Sequence, residues 1–402
     1  MMNHTVHAAV KQEAASTNSR FALWALAVSA FGIGTTEFVP VGLLASVAED
    51  LNIGITMAGL LVSGYAAGVA IGAPVLTALT NRLNRKTLLI SLMVLFITGN
   101  VVAALSQSFE LLLAARFITA FSHGVFFSIG STIAVQLVPP HKKASAIALM
   151  FTGLTVATVT GVPLGTFIGQ SFGWRATFWG VALLGVVAVA ASALLIPRNL
   201  KQSQPAKFGD MLRLVTNKRI LLGLAITALG YGGTFVAFTY LTPILQDVTG
   251  LKPGLVSIVL LVYGAAVAVG NAAGGRLANH HPIKALFWMF LAQAAILVAL
   301  SFMIPFKAAG LIGVVLMGLL AFMNVPGLQL FVVQLAEKYV PSAVDVASAL
   351  NIAAFNIGIA AGATIGGFVV DSIGLVHTPW IGGVMVMLAI LLTAVSLKLE
   401  KS

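Results

Sequence analysis

The chain has no cysteine among its 402 residues. Disulfides, thiolate nucleophiles and cysteine-ligated metals are therefore excluded. Charge is scarce as well. Asp, Glu, Lys and Arg make up 8% of the residues, against about 25% in a soluble globular protein. Acids are the rarer sign, 11 against 22 Lys and Arg. No Gly-rich stretch ends in Gly-Lys-Ser/Thr, so a phosphate-cradling loop driven by ATP is not expected. The histidines do not form a metal-binding cluster. With no nucleophile–base constellation either, the chain does not read as an enzyme and calls for no cofactor.

What is present is apolar sequence, 59% of the chain. Stretches of about 20 residues recur along its length, each able to cross a bilayer core of about 30 Å as a helix. Backbone polar groups in lipid must bond internally, which makes such stretches helices. They are too long and too uniformly apolar for barrel strands. Twelve spans are expected, at 21–48, 55–80, 87–106, 110–137, 143–170, 176–196, 220–246, 253–278, 284–304, 308–336, 344–370 and 378–397. The fold class is an all-α membrane protein.

The excess of cations could suggest a nucleic-acid partner, but their placement gives a better account. With the N-terminus inside, 18 Lys and Arg fall in cytoplasmic segments and only Arg175, Lys252 and Lys307 fall outside. That asymmetry follows the positive-inside rule and puts both termini in the cytoplasm. Residues 1–20 are polar and lack the short apolar core of a secretory signal, so the first span is expected to stay in the mature protein.

The longest polar segment between spans, 197–219, reads as a cytoplasmic linker. It follows a cytoplasmic tail (1–20) and a first six-span half (21–196), and precedes a second half (220–402). The halves echo each other. Gly161, Gly165 and Gly169 in span 5 recur as Gly358, Gly362 and Gly366 in span 11, 197 positions later. Asn81-Arg82 after span 2 recurs as Asn279-His280 after span 8. Small residues at every fourth position let helices approach closely. A second reading has spans 5 and 11 facing each other across the seam between the halves and sliding there. Pro163 removes a backbone donor and invites a kink in span 5.

On these residues the chain resembles the twelve-span drug:proton antiporter group of the major facilitator superfamily. It is most similar to the bacterial branch of arabinose and sugar efflux proteins and purine and nucleoside exporters. The matching stretches are Phe31-Gly32-Ile33-Gly34-Thr35-Thr36-Glu37-Phe38, Ser122-His123-Gly124, Gly161-Val162-Pro163-Leu164-Gly165, Gly173-Trp174-Arg175, Thr239-Tyr240-Leu241-Thr242-Pro243, and Asn351 with Phe355-Asn356-Ile357-Gly358. Arg116 matches the family's span 4 arginine. The loop after span 2 keeps the basic Arg82, Arg85 and Lys86 but carries Asn81 where the family has Asp, which puts the charge latch of that loop in doubt. Arg82 and Arg85 then gate or simply hold the loop inside. The resemblance implies two pseudo-symmetric six-helix bundles, a site between them, and alternating access with proton influx driving export. It also implies a bacterial inner-membrane protein that works as a monomer on protons and a small molecule.

Glu37 stands out at membrane depth. A lone carboxylate there costs several kcal/mol unless it is protonated, paired or wet. His123 lies near the same depth in span 4, and Arg116, His123 and Phe127 share a helical face. Burial opposes the carboxylate's charge and a nearby cation favours it, so a change of access can load and unload a proton. Glu37, His123 and Arg116 are thus the candidate proton-coupling residues. The alternative is a structural acid locked to a hydroxyl or to Arg116. Phe127, Tyr231, Phe235, Tyr240, Asn324 and Asn356 are candidate substrate contacts, with Gln329 and Asn351 also polar at depth. Their competing reading is helix-to-helix bonding. Gly161, Pro163, Gly165, Gly358 and Gly362 are candidate hinge positions. Asp345 and Asp371 read as markers of helix ends. Inward symport, uniport and a non-transporting membrane sensor remain the other readings.

Overall fold

A computed structural model describes residues 2–80, 82–200 and 208–401. Asn81 and the 201–207 stretch of the linker lie outside the described residues. All regular structure among the described residues is helical. Twelve segments among the described residues are long and apolar enough to cross a membrane. In chain order they are α1 (Met2–Asp50), α2 (Ile55–Thr80), α3 (Arg85–Leu105), α4 (Phe109–Gln136), α5, α6 (Trp174–Leu195), α7 (Lys218–Phe238), α8 (Pro253–Leu277), α9 (Pro282–Met303), α10, α11 (Val344–Ser372) and α12 (Thr378–Lys401). The helix α5 is composite: Lys143–Val156, a π-helical stretch Ala157–Gly161, then Val162–Phe172. The π stretch sits where Pro163 withholds its N–H and leaves the Val159 carbonyl without its usual partner.

One expected span is not continuous. The α10 segment is two helices, Lys307–Ala321 and Val325–Tyr339, separated at 322–324. Pro326 is the cause: it cannot bond the Phe322 carbonyl, and its ring opposes a straight helix there. The linker is also more structured than a plain polar connection. It contains a short helix, Phe208–Thr216, whose Leu214 is buried.

Helix starts are set by local chemistry. Asn84 accepts from the Lys86 and Thr87 amides, Ser108 from Leu111, and Asn217 from Arg219 and Ile220. Each satisfies donors that the first helical turn leaves orphaned. Two tight turns need positive φ, Gly173 (86°) between α5 and α6 and Gly374 (97°) between α11 and α12. They occupy equivalent places in the two halves.

The same equivalence holds for packing. The pairs α1–α5, α1–α6, α2–α4, α3–α4 and α3–α6 recur as α7–α11, α7–α12, α8–α10, α9–α10 and α9–α12. The glycine ladders explain two of these pairs. A Cβ at Gly161, Gly165 or Gly169 would strike Thr35, Val39 or Leu43 of α1. A Cβ at Gly358, Gly362 or Gly366 would strike the α7 carbonyls of Ala228, Gly232 or Val236. The ladders therefore pack within each half, which follows the close-packing reading and not the one in which spans 5 and 11 face each other. Across the seam, α11 meets α2 and α4, while α5 meets α8 and α10. Large apolar side chains such as Ile71, Leu183, Phe302 and Phe368 are exposed, as a lipid-facing surface requires.

At the end opposite the α2–α3 loop, Asp50 anchors α1 to α6. Its carboxylate accepts from Arg175 at 2.7 Å and from the Trp174 indole at 3.1 Å. The Arg175 hydrogen bond holds the Asp50 carboxyl below its ordinary 3.8. The stabilisation is thus complete above that value and is lost as pH falls below it. Both partners are partly exposed, so about 0.2–1 kcal/mol is at stake.

Two outcomes are expected from this packing. Gly362→Val, which drives methyl groups into the Gly232 carbonyl, should cost about 1–3 kcal/mol and lower the melting temperature of the detergent-purified protein by several degrees. Gly54→Ala, with nothing near its Cβ, should leave it unchanged. The small stability difference between wild type and Arg175→Gln at neutral pH should vanish in thermal melts as the pH drops through the acid range below 3.8.

Candidate functional site

The site starts from Pro40. It lies inside the continuous helix α1, and a proline there leaves the carbonyl four residues earlier, that of Thr36, without its helical donor. Arg116 of α4 supplies the replacement. Its Nη1 donates to the Thr36 carbonyl, its Nη2 reaches the Glu37 carbonyl at 3.4 Å, and its Nε donates to Leu61 of α2 at 3.2 Å. The guanidinium lies over the Tyr65 ring, 4.1 Å from its centroid. Arg116 is 1% exposed. Its donors are spent on backbone, so it clamps α1, α2 and α4 together and contributes charge from beside Glu37.

That clamp sets the Glu37 side chain against α4. Its Oε2 lies 3.7 Å from Nδ1 of His123. The same Nδ1 is 3.1 Å from the Tyr65 hydroxyl. Glu37 Oε2 is buried and has no hydrogen-bond donor. A buried acceptor left unsatisfied is expensive, and more so when it is charged. Thr36 meanwhile donates to Asn100 of α3 at 2.7 Å, fixing the neighbouring turn of α1. The His123 ring packs on Phe127 at 4.9 Å, and Phe127 packs on Phe151 at 5.0 Å.

The three expected proton-coupling residues, Glu37, His123 and Arg116, are therefore brought together. Tyr65 was missed. Its signal was a phenol in the apolar run of α2, since a buried Tyr hydroxyl usually needs a partner. On α7, Tyr231 is buried. It forms an aromatic cluster with Phe235 (5.1 Å), Phe322 (5.5 Å) and Phe355 (4.9 Å).

The remaining substrate candidates separate. Phe235 and Asn356 are partly exposed. Phe127 is buried, packed on His123 and Phe151. Tyr240, two residues beyond α7, donates to the Ala363 carbonyl at 3.1 Å and ties that segment to α11. Asn324 is fully buried beside the α10 break and donates to Gln293 at 2.8 Å. In this state these three serve helix-to-helix packing and bonding.

A second assembly lies at the α2–α3 loop end. Arg85 donates to both carboxylate oxygens of Asp345, at 2.9 and 3.0 Å, and to Thr132 at 3.1 Å. Thr132 also donates to Asp345 at 2.7 Å, and Ser128 donates to the Asp345 carbonyl. The pair is buried, with side chains 4% and 9% exposed. Ser348 continues the network, donating to the Ser128 carbonyl and accepting from Gln329, which in turn accepts from Asn351. Asp345 thus stands in the first turn of α11 and does more than mark a helix end: it pairs with Arg85 across the seam. Arg85 is its partner, while Arg82 is exposed in the loop.

A matching tie joins α5 to α8. Asn279 accepts from the Ser145 amide at 3.0 Å and donates to its hydroxyl at 2.7 Å, and Asn271 donates to the Ala148 carbonyl. Lys143 and Glu337 add a more exposed pair at 3.5 Å. Arg85, Ser128, Thr132, Lys143, Asn271 and Asn279 thus all bond across the seam toward this end. At the other end, the Asp50, Arg175 and Tyr240 bonds stay within one half.

The comparisons with known proteins agree with this architecture. The profile described as Major Facilitator Superfamily matches residues 26–344. The chain is 61% identical over 380 residues to YtbD of Bacillus subtilis, an uncharacterized MFS-type transporter, covering 94% of this chain and 96% of the relative. It is 38% identical over 377 residues to YdhP of Escherichia coli K12, an inner membrane transport protein, with the same coverage. Among solved structures, the E. coli fucose:proton symporter FucP superposes with a TM-score of 0.74 at 17% identity, covering 94% of this chain and 98% of that one. The proton:xylose symporter XylE gives 0.76 at 14% identity, covering 94% and 95%.

Breaking the latch gives a clear expectation. Arg85→Gln leaves Asp345 buried without its cation, which costs about 3–5 kcal/mol and opens this end. Because the chain has no native cysteine, Ser128→Cys can report on it. A membrane-impermeant thiol reagent should label that cysteine at least tenfold faster in the Arg85→Gln background. Adding Asp345→Asn should bring the rate partly back.

Proposed function

The chain belongs to the major facilitator superfamily, and from that premise we propose that it is a proton-coupled antiporter that exports a small molecule, with Glu37 as the proton carrier. It is a membrane transporter and not an enzyme. The observation that carries the proposal is the Glu37 Oε2 atom, buried, without a donor and 3.7 Å from His123. An ionised carboxylate in this position is costly to carry through a conformational change, because several kcal/mol are at stake at membrane depth. A proton or a bound substrate relieves that cost. The halves then change access only when one of the two is aboard, which is the condition for coupled exchange.

The moving bodies in this reading are the two six-helix sets, 21–196 and 220–402, joined by the 197–219 linker. The Arg85–Asp345 latch ties the halves together at the end that the cation distribution assigns to the cytoplasm. His123 and Tyr65 form the short relay that receives or orients its proton. Arg116 positions α1 and biases the charge of Glu37. Of the candidate hinge positions, Pro163 beside the π stretch of α5 keeps that role in this reading, while Gly161, Gly165, Gly358 and Gly362 hold their helices against α1 and α7. Export rather than uptake rests on the Gly161–Gly165 run, which resembles the antiporter motif. The Tyr231, Phe235 and Phe355 cluster, with Asn356 near it in sequence, suits an amphipathic, weakly polar compound, a sugar derivative or a nucleoside. We place the protein in the bacterial cytoplasmic membrane with both termini inside, working as a monomer.

The test is transport in proteoliposomes under an imposed pH gradient, with a substrate panel and an internal pH dye. Glu37→Gln should cut gradient-driven export and the accompanying proton flux at least tenfold, while thermal stability stays near wild type. Gradient-driven export at the wild-type rate by Glu37→Gln would remove Glu37 from the coupling step.

A further inference from the structure

We propose that the groove formed by the end of α8, the α8–α9 loop, α9 and the break in α10 binds an anionic phospholipid. The groove has a volume of about 420 Å³. Its rim carries His280, His281 and Lys284, and its wall carries Trp288, Ala292 and Met323. No acidic residue lines it. The three rim residues are exposed, and no described side-chain hydrogen bond or ion pair engages them. Trp288 is 67% exposed on the outer face of α9.

Two arguments identify the occupant. The first is location. The wall belongs to the outward faces of membrane-spanning helices, where the surrounding solvent is acyl chain. Apolar surface there is covered by lipid tails, and an exposed Trp near a helix end marks the interface where tails meet headgroups. Met323 lies at the interruption of α10 created by Pro326, so the depression is built into the backbone and does not depend on a side-chain rotamer. The second is charge. A lysine and two imidazoles within one turn and a loop, with no acid beside them, offer nitrogen donors to phosphate oxygens. Tail slot and cationic rim together fit one molecule, a phospholipid with net negative charge. Its placement also has a mechanical neighbour: His280 follows directly on Asn279, whose side chain holds Ser145 of α5.

The experiment uses the full chain in phosphatidylcholine vesicles containing a minor fraction of phosphatidylglycerol, with bromine on the acyl chains of one lipid at a time. The readout is quenching of Trp288, taken as the difference between wild type and Trp288→Phe. Brominated phosphatidylglycerol should quench several-fold more than the same fraction of brominated phosphatidylcholine. Combining His280→Gln, His281→Gln and Lys284→Gln should erase that preference, whereas Lys338→Gln, outside the groove, should keep it. Melting temperatures of the variants establish that they are folded, and native mass spectrometry of the purified wild type should show retained phosphatidylglycerol. Equal quenching by the two lipids in wild type would overturn the proposal, as would a preference that survives the triple substitution. Displacement of the brominated lipid by inorganic phosphate would assign the rim to free phosphate and reject the lipid.

Discussion

The hydrogen bonds of Arg116 to the backbone of α1 and α2 are the interaction on which the site depends. Membrane depth offers no water to a carbonyl that has lost its helical partner, so the bond missing at Pro40 has to be filled from within the protein. Arg116 fills it, and in doing so brings α1, α2 and α4 to one point. Glu37, Tyr65 and His123 are in contact because those three helices are held there. A proline and a buried cation on separate helices thus create the place where a carboxylate oxygen can sit without a hydrogen-bond donor.

The seam has a different logic. Its bonds gather at one end, around Arg85–Asp345 and Asn279–Ser145, while at the opposite end the Asp50–Arg175 and Tyr240–Ala363 bonds stay inside each half. A molecule tied on one side can open on the other. A buried ion pair is well suited to such a latch. Its formation contributes little net energy because desolvation offsets the Coulomb attraction, yet separating the charges within the protein is costly. In the proposed transport cycle such a pair would switch between a paired and a solvated state without locking the molecule.

The glycine ladders support this arrangement by making each half rigid. On α5 they admit side chains of α1, and on α11 they admit the backbone of α7, so the helices bearing Glu37 and Tyr231 are each backed by a close-packed neighbour. Motion is then left to the seam, and to the π stretch of α5 and the break in α10, where prolines have already removed the regular bonding.

Composition and periodicity decided much of this from the sequence alone. Scarce charge and twelve apolar runs leave helices as the only way to bond the backbone in lipid, and the recurrence 197 positions apart announces the two-fold repeat. Glu37 was legible because an acid in such a run has no inexpensive explanation. The partner of each buried group was not legible. Asp345 looked like a helix-end residue because its position near the start of α11 says nothing of Arg85, 260 residues away. Tyr65 was one phenol among apolar neighbours until α2 was placed beside His123. The ladders of α5 and α11 could be read from their spacing, but the helices they receive could not. Spacing along a chain fixes what one face of a helix offers, and only the packing of helices distant in sequence decides what meets it.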